Sequence, residues 1–370
     1  MFSGLTAILI SKIVFLSYIS RKRKMIWEKV GHLEKMFLYP LKSTKGICLD
    51  SADILYSGLA IRNENGHTVK DRSWIVVDQK NKMVTARNRT KMVNISSLIR
   101  GDSLVLSAPE MTDLILPLVG SVVASEEIII TVWDDRVGGY DCGMEASDWI
   151  TNYFNLPNTN QSDEGERYRI LSFTDGWTAR RKLKRDDDHW REDARDVDEV
   201  QYQDGYPFLL TTSASFDDVK SKCYQKSLKD NNNYEISENL DGESLSIKME
   251  CFRPNFHIQS NMDAFDEDGW MEIKIGDCTF YNMKPCDRCT MTTIEPSTGE
   301  RLPGYEPLKT LRQYRLMYPE FKNSPCFGIN LVATKLGQVN VGDPVFMRRS
   351  SDFRRKRSKL INLFLVNLGK

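Results

Sequence analysis

Along most of this chain, short apolar and β-branched stretches are broken by turn residues, a pattern that predicts many short strands and few helices. From Leu33 onward, Lys35–Tyr39, Ile47–Leu55, Ser73–Asp78 and Met83–Arg87 read as strands, with Gln79–Lys82 as a hairpin loop. Further strands are predicted near 103–107, 113–118 and 127–134. A helix then interrupts the run: Ala146, Trp149, Ile150, Tyr153 and Phe154 recur at i, i+3, i+4, i+7 and i+8, one apolar stripe that points to core packing. Strands resume at 167–173, 207–212, 247–251, 255–258, 271–275 and 277–283. A helix is predicted near 213–227, and a short one opened by Pro307 turns Leu308 and Leu311 inward. This balance predicts an α+β, mainly β fold, with a β-barrel core and helical additions.

The two ends break that pattern. Residues 2–19 are apolar apart from Lys12 and some hydroxyls, and Arg21-Lys-Arg-Lys24 follows at once. Eighteen residues at 1.5 Å each span roughly 27 Å, enough for a thin bilayer. Positive charge after the apolar run, with no small-residue cleavage site, predicts a signal-anchor over 1–24 with the body on the cytosolic side. Lys12 near its centre costs about 2.5–3.5 kcal/mol on insertion scales, so an amphipathic or targeting peptide and a plain core element are the alternatives. At the other end, 348–359 carries seven basic residues and one acidic one, within a basic tail over 348–370.

Charge sharpens this picture. Lys plus Arg equals Asp plus Glu at 51 each, so removing +4 at 21–24 and +6 at 348–359 leaves a body near −10. An acidic body with basic ends lacks the basic face of a nucleic-acid binder and suits termini that touch an anionic membrane. Between 175 and 200 a basic run meets eight acidic residues at 186–199 with no apolar period, predicting an exposed loop that serves as a flap or a docking surface. The 370 residues between and including these ends suffice for two intimate domains, expected over 33–160 and 167–347. Eight cysteines without a dense secreted spacing indicate a reducing compartment, and four scattered histidines argue against histidine-rich metal sites.

Four segments carry candidate chemistry. In Tyr39-Pro-Leu-Lys-Ser-Thr-Lys-Gly46, Lys42 and Ser43 suit a phosphate, or form a solvated turn; the glycine framework of a Walker loop is missing. In Lys70-Asp-Arg-Ser-Trp74, Arg72 suits a phosphate or planar heterocycle, or pairs with a surface carboxylate. In Cys251-Phe-Arg-Pro-Asn-Phe-His257, Arg253 and Asn255 offer a donor fork and an amide for a heterocycle edge or phosphate, or stabilise a turn around Pro254. In Cys286-Asp-Arg-Cys289, the thiol pair lacks the second pair a zinc site needs and the strand-to-helix context of thiol exchange, leaving a soft-metal ligand or structural thiols.

Taken in order, YPLKSTKG, KDRSW, MVTARN, YDCG, FRPN and CDRCTMTTIEPSTG resemble the molybdenum-cofactor sulfurase C-terminal (MOSC) domain proteins, from about Leu33 to about Phe346 and through the closing Val341-Gly-Asp-Pro-Val. The resemblance implies a MOSC-type barrel packed with a β-rich MOSC N-terminal domain. It implies Cys289 as the catalytic molybdenum ligand, and Lys42, Ser43, Arg72, Arg253, Asn255, Asp287 and Arg288 as contacts of the molybdopterin cofactor, Asp287 through its backbone amide. It further implies a reductase of N-hydroxylated compounds such as amidoximes, hydroxylamines and N-oxides, fed from NADH through cytochrome b5 reductase and cytochrome b5. A carrier of the cofactor or of its sulfur, and a membrane-tethered interaction protein without turnover, are the alternatives. The implied address is the mitochondrial outer membrane, with the endoplasmic reticulum and peroxisome compatible. The chain departs from the family pattern at Asp287, where relatives carry a small hydroxyl residue, at Gly205-Tyr206, where they carry Thr-Ser, and at Asn330, where they can carry tyrosine.

Overall fold

Seven strands close into a barrel. They are β1 (Glu28–Leu38), β2 (Phe208–Thr212), β3 (Phe256–Ser260), β4 (Trp270–Ile275), β5 (Cys278–Asp287), β6 (Cys326–Lys335) and β7 (Pro344–Arg349). Their order is β3-β2-β6-β5-β4-β7-β1, and β1 closes the ring by pairing back onto β3. All neighbours are antiparallel except β2 and β3, which run parallel. The computed structural model describes residues 26–118, 127–156, 165–173, 181–183, 195–229, 247–317, 321 and 323–349. The expected N-terminal anchor and all of the basic C-terminal tail beyond Arg349 lie outside those residues. No helix among the described residues is long and apolar enough to cross a membrane.

The barrel interior is aromatic. Phe208, Phe256 and Phe280, from β2, β3 and β5, meet with ring centroids 5.3–5.6 Å apart. Each such pair contributes about 0.5–1.5 kcal/mol beyond simple area burial. Outside the barrel, Trp74–Asp78 pairs with Tyr168–Ser172, which continues through Asp135–Asp141 into the hairpin strand Ile128–Val132. The striped helix forms at Met144–Phe154 and buries all five predicted positions. The short helix at Leu308–Tyr314 likewise follows Pro307, with Leu308 and Leu311 buried.

Two local expectations give way to turns. Met83–Arg87 is not a strand: only Met83 bridges to Val77, and the Thr85 carbonyl then accepts from Asn88 and Arg89, bending the chain. At 247–251 the predicted strand is a 3-10 turn, Met249–Phe252, closed by the left-handed Arg253. Of the charged stretch at 175–200 expected to be exposed, residues 175–180 and 184–194 lie outside the described residues; in its described parts Asp196 and Val197 are exposed while other residues turn inward. Arg181–Lys182 pairs with Glu199–Val200, and Arg181 and Asp198 are buried.

Candidate functional site

Strand direction brings the four segments together. Antiparallel pairing sets the C-terminal end of β1 beside the start of β3, parallel pairing adds the start of β2, and Asp287 at the end of β5 lies against Cys326 at the start of β6. The loops at this rim enclose a cavity of about 440 Å³. Lys42, Ser43, Arg72, Arg253, Asn255, Asp287, Arg288 and Cys289 all line it.

The backbone is held in an uncommon state there. Among the described residues eight non-glycine residues have positive φ, and four of them, Ser43 (70°), Arg72 (52°), Trp133 (57°) and Arg253 (56°), line this cavity. Left-handed backbone at a side chain costs of order 1–3 kcal/mol and persists only where surroundings impose it. The imposing contacts centre on Tyr39. Its N–H donates to the fully buried Asp71 at 2.9 Å, its hydroxyl donates to the Pro254 carbonyl at 3.1 Å, and its carbonyl accepts the Arg72 N–H at 2.7 Å. The guanidinium carbons of Arg72 and Arg253 both lie 4.2 Å from the Tyr39 ring centroid. The ring thus screens two cations that would otherwise repel.

Asn255 is almost wholly committed to the protein. Its Oδ1 accepts from the Leu209 N–H at 3.1 Å and from Arg72 at 3.4 Å, and its Nδ2 donates to the Phe37 carbonyl at 3.2 Å. It therefore ties the ends of β1, β2 and β3 together and orients Arg72, with one amide hydrogen to spare. Arg288 donates to Cys286 Sγ at 2.9 Å and to the Phe252 carbonyl. Burial pushes the Cys286 thiol up, against the opposing charge of Arg288. Cys289, by contrast, is exposed, immediately before the 3-10 turn Thr290–Thr293.

Lys42 is buried and donates to the Tyr202 carbonyl at 2.7 Å and to Asp204 Oδ1 at 2.5 Å. Burial pulls its ammonium down to about 8, although Asp204 opposes the shift. The Asp204 side chain is exposed on its outer side, yet the Lys42 charge and hydrogen bond hold its carboxyl well below the usual carboxylate range. Asp204 Oδ1 also accepts from Trp133 Nε1 at 3.2 Å, and Arg87 lies over the Trp133 ring at 4.0 Å. Arg181 fixes this loop from behind, donating to the carbonyls of Gln203 at 2.5 Å and Asp204 at 3.1 Å.

Arg87, Trp133, Asp204 and Lys284 thus join the eight candidates at the cavity wall. Trp133 sits at a hairpin tip outside every motif, and Asp204 in a loop whose only cue was the charge beside Gly205-Tyr206. In all, six cationic side chains (Lys42, Arg72, Arg87, Arg253, Lys284, Arg288) face two carboxylates (Asp204, Asp287), so the cavity is built for an anion. Two buried donors, Arg253 Nη2 and Arg288 Nε, have no hydrogen-bond partner among the described residues. Orphaned buried donors are costly in isolation, about 1–3 kcal/mol each. A phosphate-bearing heterocycle with an exposed thiol beside it for a soft metal fits this donor set.

The comparisons with known proteins agree with the geometry. The profile described as MOSC N-terminal beta barrel domain matches residues 30–157, and that described as MOSC domain matches residues 197–346. The human mitochondrial amidoxime reducing component 2 is 32% identical over 351 residues, covering 93% of this chain and 91% of the relative. The human mitochondrial amidoxime-reducing component 1 is 31% identical over 349 residues, with the same two coverages of 93% and 91%. The zebrafish (Danio rerio) component 1 is 29% identical over 346 residues, covering 93% of this chain and 92% of its own. The chain therefore belongs to the MOSC-domain family of the amidoxime-reducing components, a family of oxidoreductases.

Proposed function

We propose that this chain is a molybdenum-cofactor-dependent reductase of N-hydroxylated compounds, amidoximes, hydroxylamines and N-oxides among them. The observation that carries the reading is the cavity in which six cations, two orphaned buried donors and the exposed Cys289 thiol converge. Cys289 is the metal ligand in this reading, since it is the accessible thiol of the pair while Cys286 is engaged by Arg288. Lys42, Arg72, Arg253 and Arg288 bind the phosphate and pterin edge, with Ser43 and the Asp287 backbone beside them. Asn255 positions Arg72 and holds the rim together. When bound, the cofactor supplies two-electron reduction of an N–O bond, with water as co-product. The residues here bind, orient and neutralise charge, and the aromatic and cationic wall restricts water around the reacting group.

Electrons reach the site one at a time from NADH through cytochrome b5 reductase and cytochrome b5 in this proposal. The relatives are named mitochondrial, and we extend to this chain an outer-membrane address, with the apolar segment 2–19 as anchor and the body facing the cytosol. The test is molybdenum analysis of the chain and its Cys289→Ala variant, purified from a host that makes the cofactor, together with reduction of benzamidoxime by a small-molecule donor. Wild type carries molybdenum and turns over; the variant loses both. A metal-free wild type sinks the reading, and a molybdenum-loaded wild type without turnover turns it into a carrier.

A further inference from the structure

The cavity holds more recognition chemistry than a cofactor phosphate uses. Lys284 on β5 and Asn330 on β6 face each other in register across the two strands, and both line the cavity that contains Cys289. Lys284 has no carboxylate within ion-pair distance among the described residues; its ammonium lies 5.7 Å from the Tyr206 ring centroid and 5.6 Å from that of Phe321. Two rings around an ammonium hold it in place without neutralising it. Asn330 is only 8% exposed, yet its side-chain amide makes no hydrogen bond to any described residue. The amide opens onto the cavity wall, and with the unneutralised ammonium beside it forms a receptor for a ligand group.

The two supply complementary donors. An ammonium gives charge with freely turning N–H bonds, an amide gives directed N–H bonds, and together they match the two oxygens of a carboxylate. Lys42 is already neutralised by Asp204, whereas Lys284 pairs with no carboxylate among the described residues. Resting on the reductase reading above, we propose that the preferred substrates are N-hydroxylated compounds that also carry a carboxylate, which Lys284 and Asn330 grip while Tyr206 packs along the substrate body. Lys284 and Asn330 act as specificity determinants and take no part in electron transfer.

A pair of compounds differing by one carboxylate tests this. Benzamidoxime and 4-carboxybenzamidoxime are compared on the molybdenum-loaded full chain with a small-molecule reductant, so that no partner protein influences the result. The carboxylated compound should have the higher kcat/KM by about tenfold, chiefly through KM, the size of one charge-assisted contact. Lys284→Gln and Asn330→Leu should bring the ratio towards one, and Lys284→Arg should keep it. A wild-type ratio of one or below, or a ratio unmoved by Lys284→Gln, overturns the inference. So does loss of molybdenum from Lys284→Gln, because Lys284 then serves the cofactor. If neither compound is reduced, the reductase reading itself has failed; tryptophan-fluorescence titration with the two compounds then decides the specificity claim, equal affinities overturning it.

Discussion

Lys42 shows how a residue can be legible in type and still not in state. Tyr39-Pro-Leu-Lys-Ser-Thr-Lys-Gly46 announces an anion-binding turn through its lysines and hydroxyls, and the structure places Lys42 and Ser43 at the cavity. Nothing local announces Asp204, 162 positions away, which pairs with that ammonium, or the burial that lowers it to about 8. The consequence is a pH dependence. Lys42 carries its charge below about pH 8 and loses it above, so affinity for a phosphate ligand should fall as pH rises through that value. Calorimetric titration of inorganic phosphate between pH 6.5 and 9.5 checks this: wild type should lose affinity around pH 8, whereas Lys42→Arg, charged throughout, should hold it. An unchanged affinity across that range in wild type would mean that Lys42 does not face the ligand. Asn255 makes the same point for geometry. Its pairing with Arg253 around Pro254 was readable, but its engagement by Phe37, Leu209 and Arg72 depends on three strands meeting.

Elements were readable where their period is uninterrupted. The helix at Met144–Phe154 keeps a clean apolar stripe, and its sequence alone identified the buried face. The strand β1 was read only from Lys35, although it begins at Glu28, because register shifts at Lys29/Gly31 and Leu33/Lys35 put Val30, Leu33 and Met36 inside at intervals of three. A bulged strand abandons the period of two by which strands are recognised. The strand β6 escaped for the opposite reason. Its first eight residues are all buried, so no alternation marks it, and Gly328 sits within it at φ 72°. That glycine is required: a Cβ there would meet the Leu210 carbonyl oxygen at 2.6 Å, in addition to the backbone strain. Gly328→Ala should cost about 3 kcal/mol of unfolding free energy. Gly66, at φ 82° with nothing within 4 Å of its Cβ position, isolates the strain alone, and Gly66→Ala should cost about 1 kcal/mol. Urea unfolding of the two variants separates strain from collision; equal losses would place β6 further from β2 than described.

The chain as a whole is interlocked in a way that a linear reading into successive domains does not convey. The profile for the MOSC domain covers residues 197–346, and six of the seven barrel strands start within that span. The seventh, β1, comes from the beginning of the described chain. It joins β3 through Gly31–Met36 against Ser260–Phe256 and β7 through Glu28–His32 against Met347–Pro344. Without β1, both of those strands present unpaired backbone groups, and the aromatic core at Phe256 loses a wall containing Val30, Leu33 and Met36. An open edge of this kind templates association between chains. Lys42, Ser43, Arg72 and Trp133 leave with the same N-terminal half, so the cavity loses one side. A fragment of residues 197–346 should therefore aggregate or remain non-native, whereas residues 26–349 should give a soluble, cooperatively unfolding species. Size-exclusion chromatography and near-ultraviolet circular dichroism of the two fragments make the comparison. A monomeric 197–346 with native aromatic signals would show that the barrel closes without β1, and that the N-terminal half contributes to the site but not to the fold that carries it.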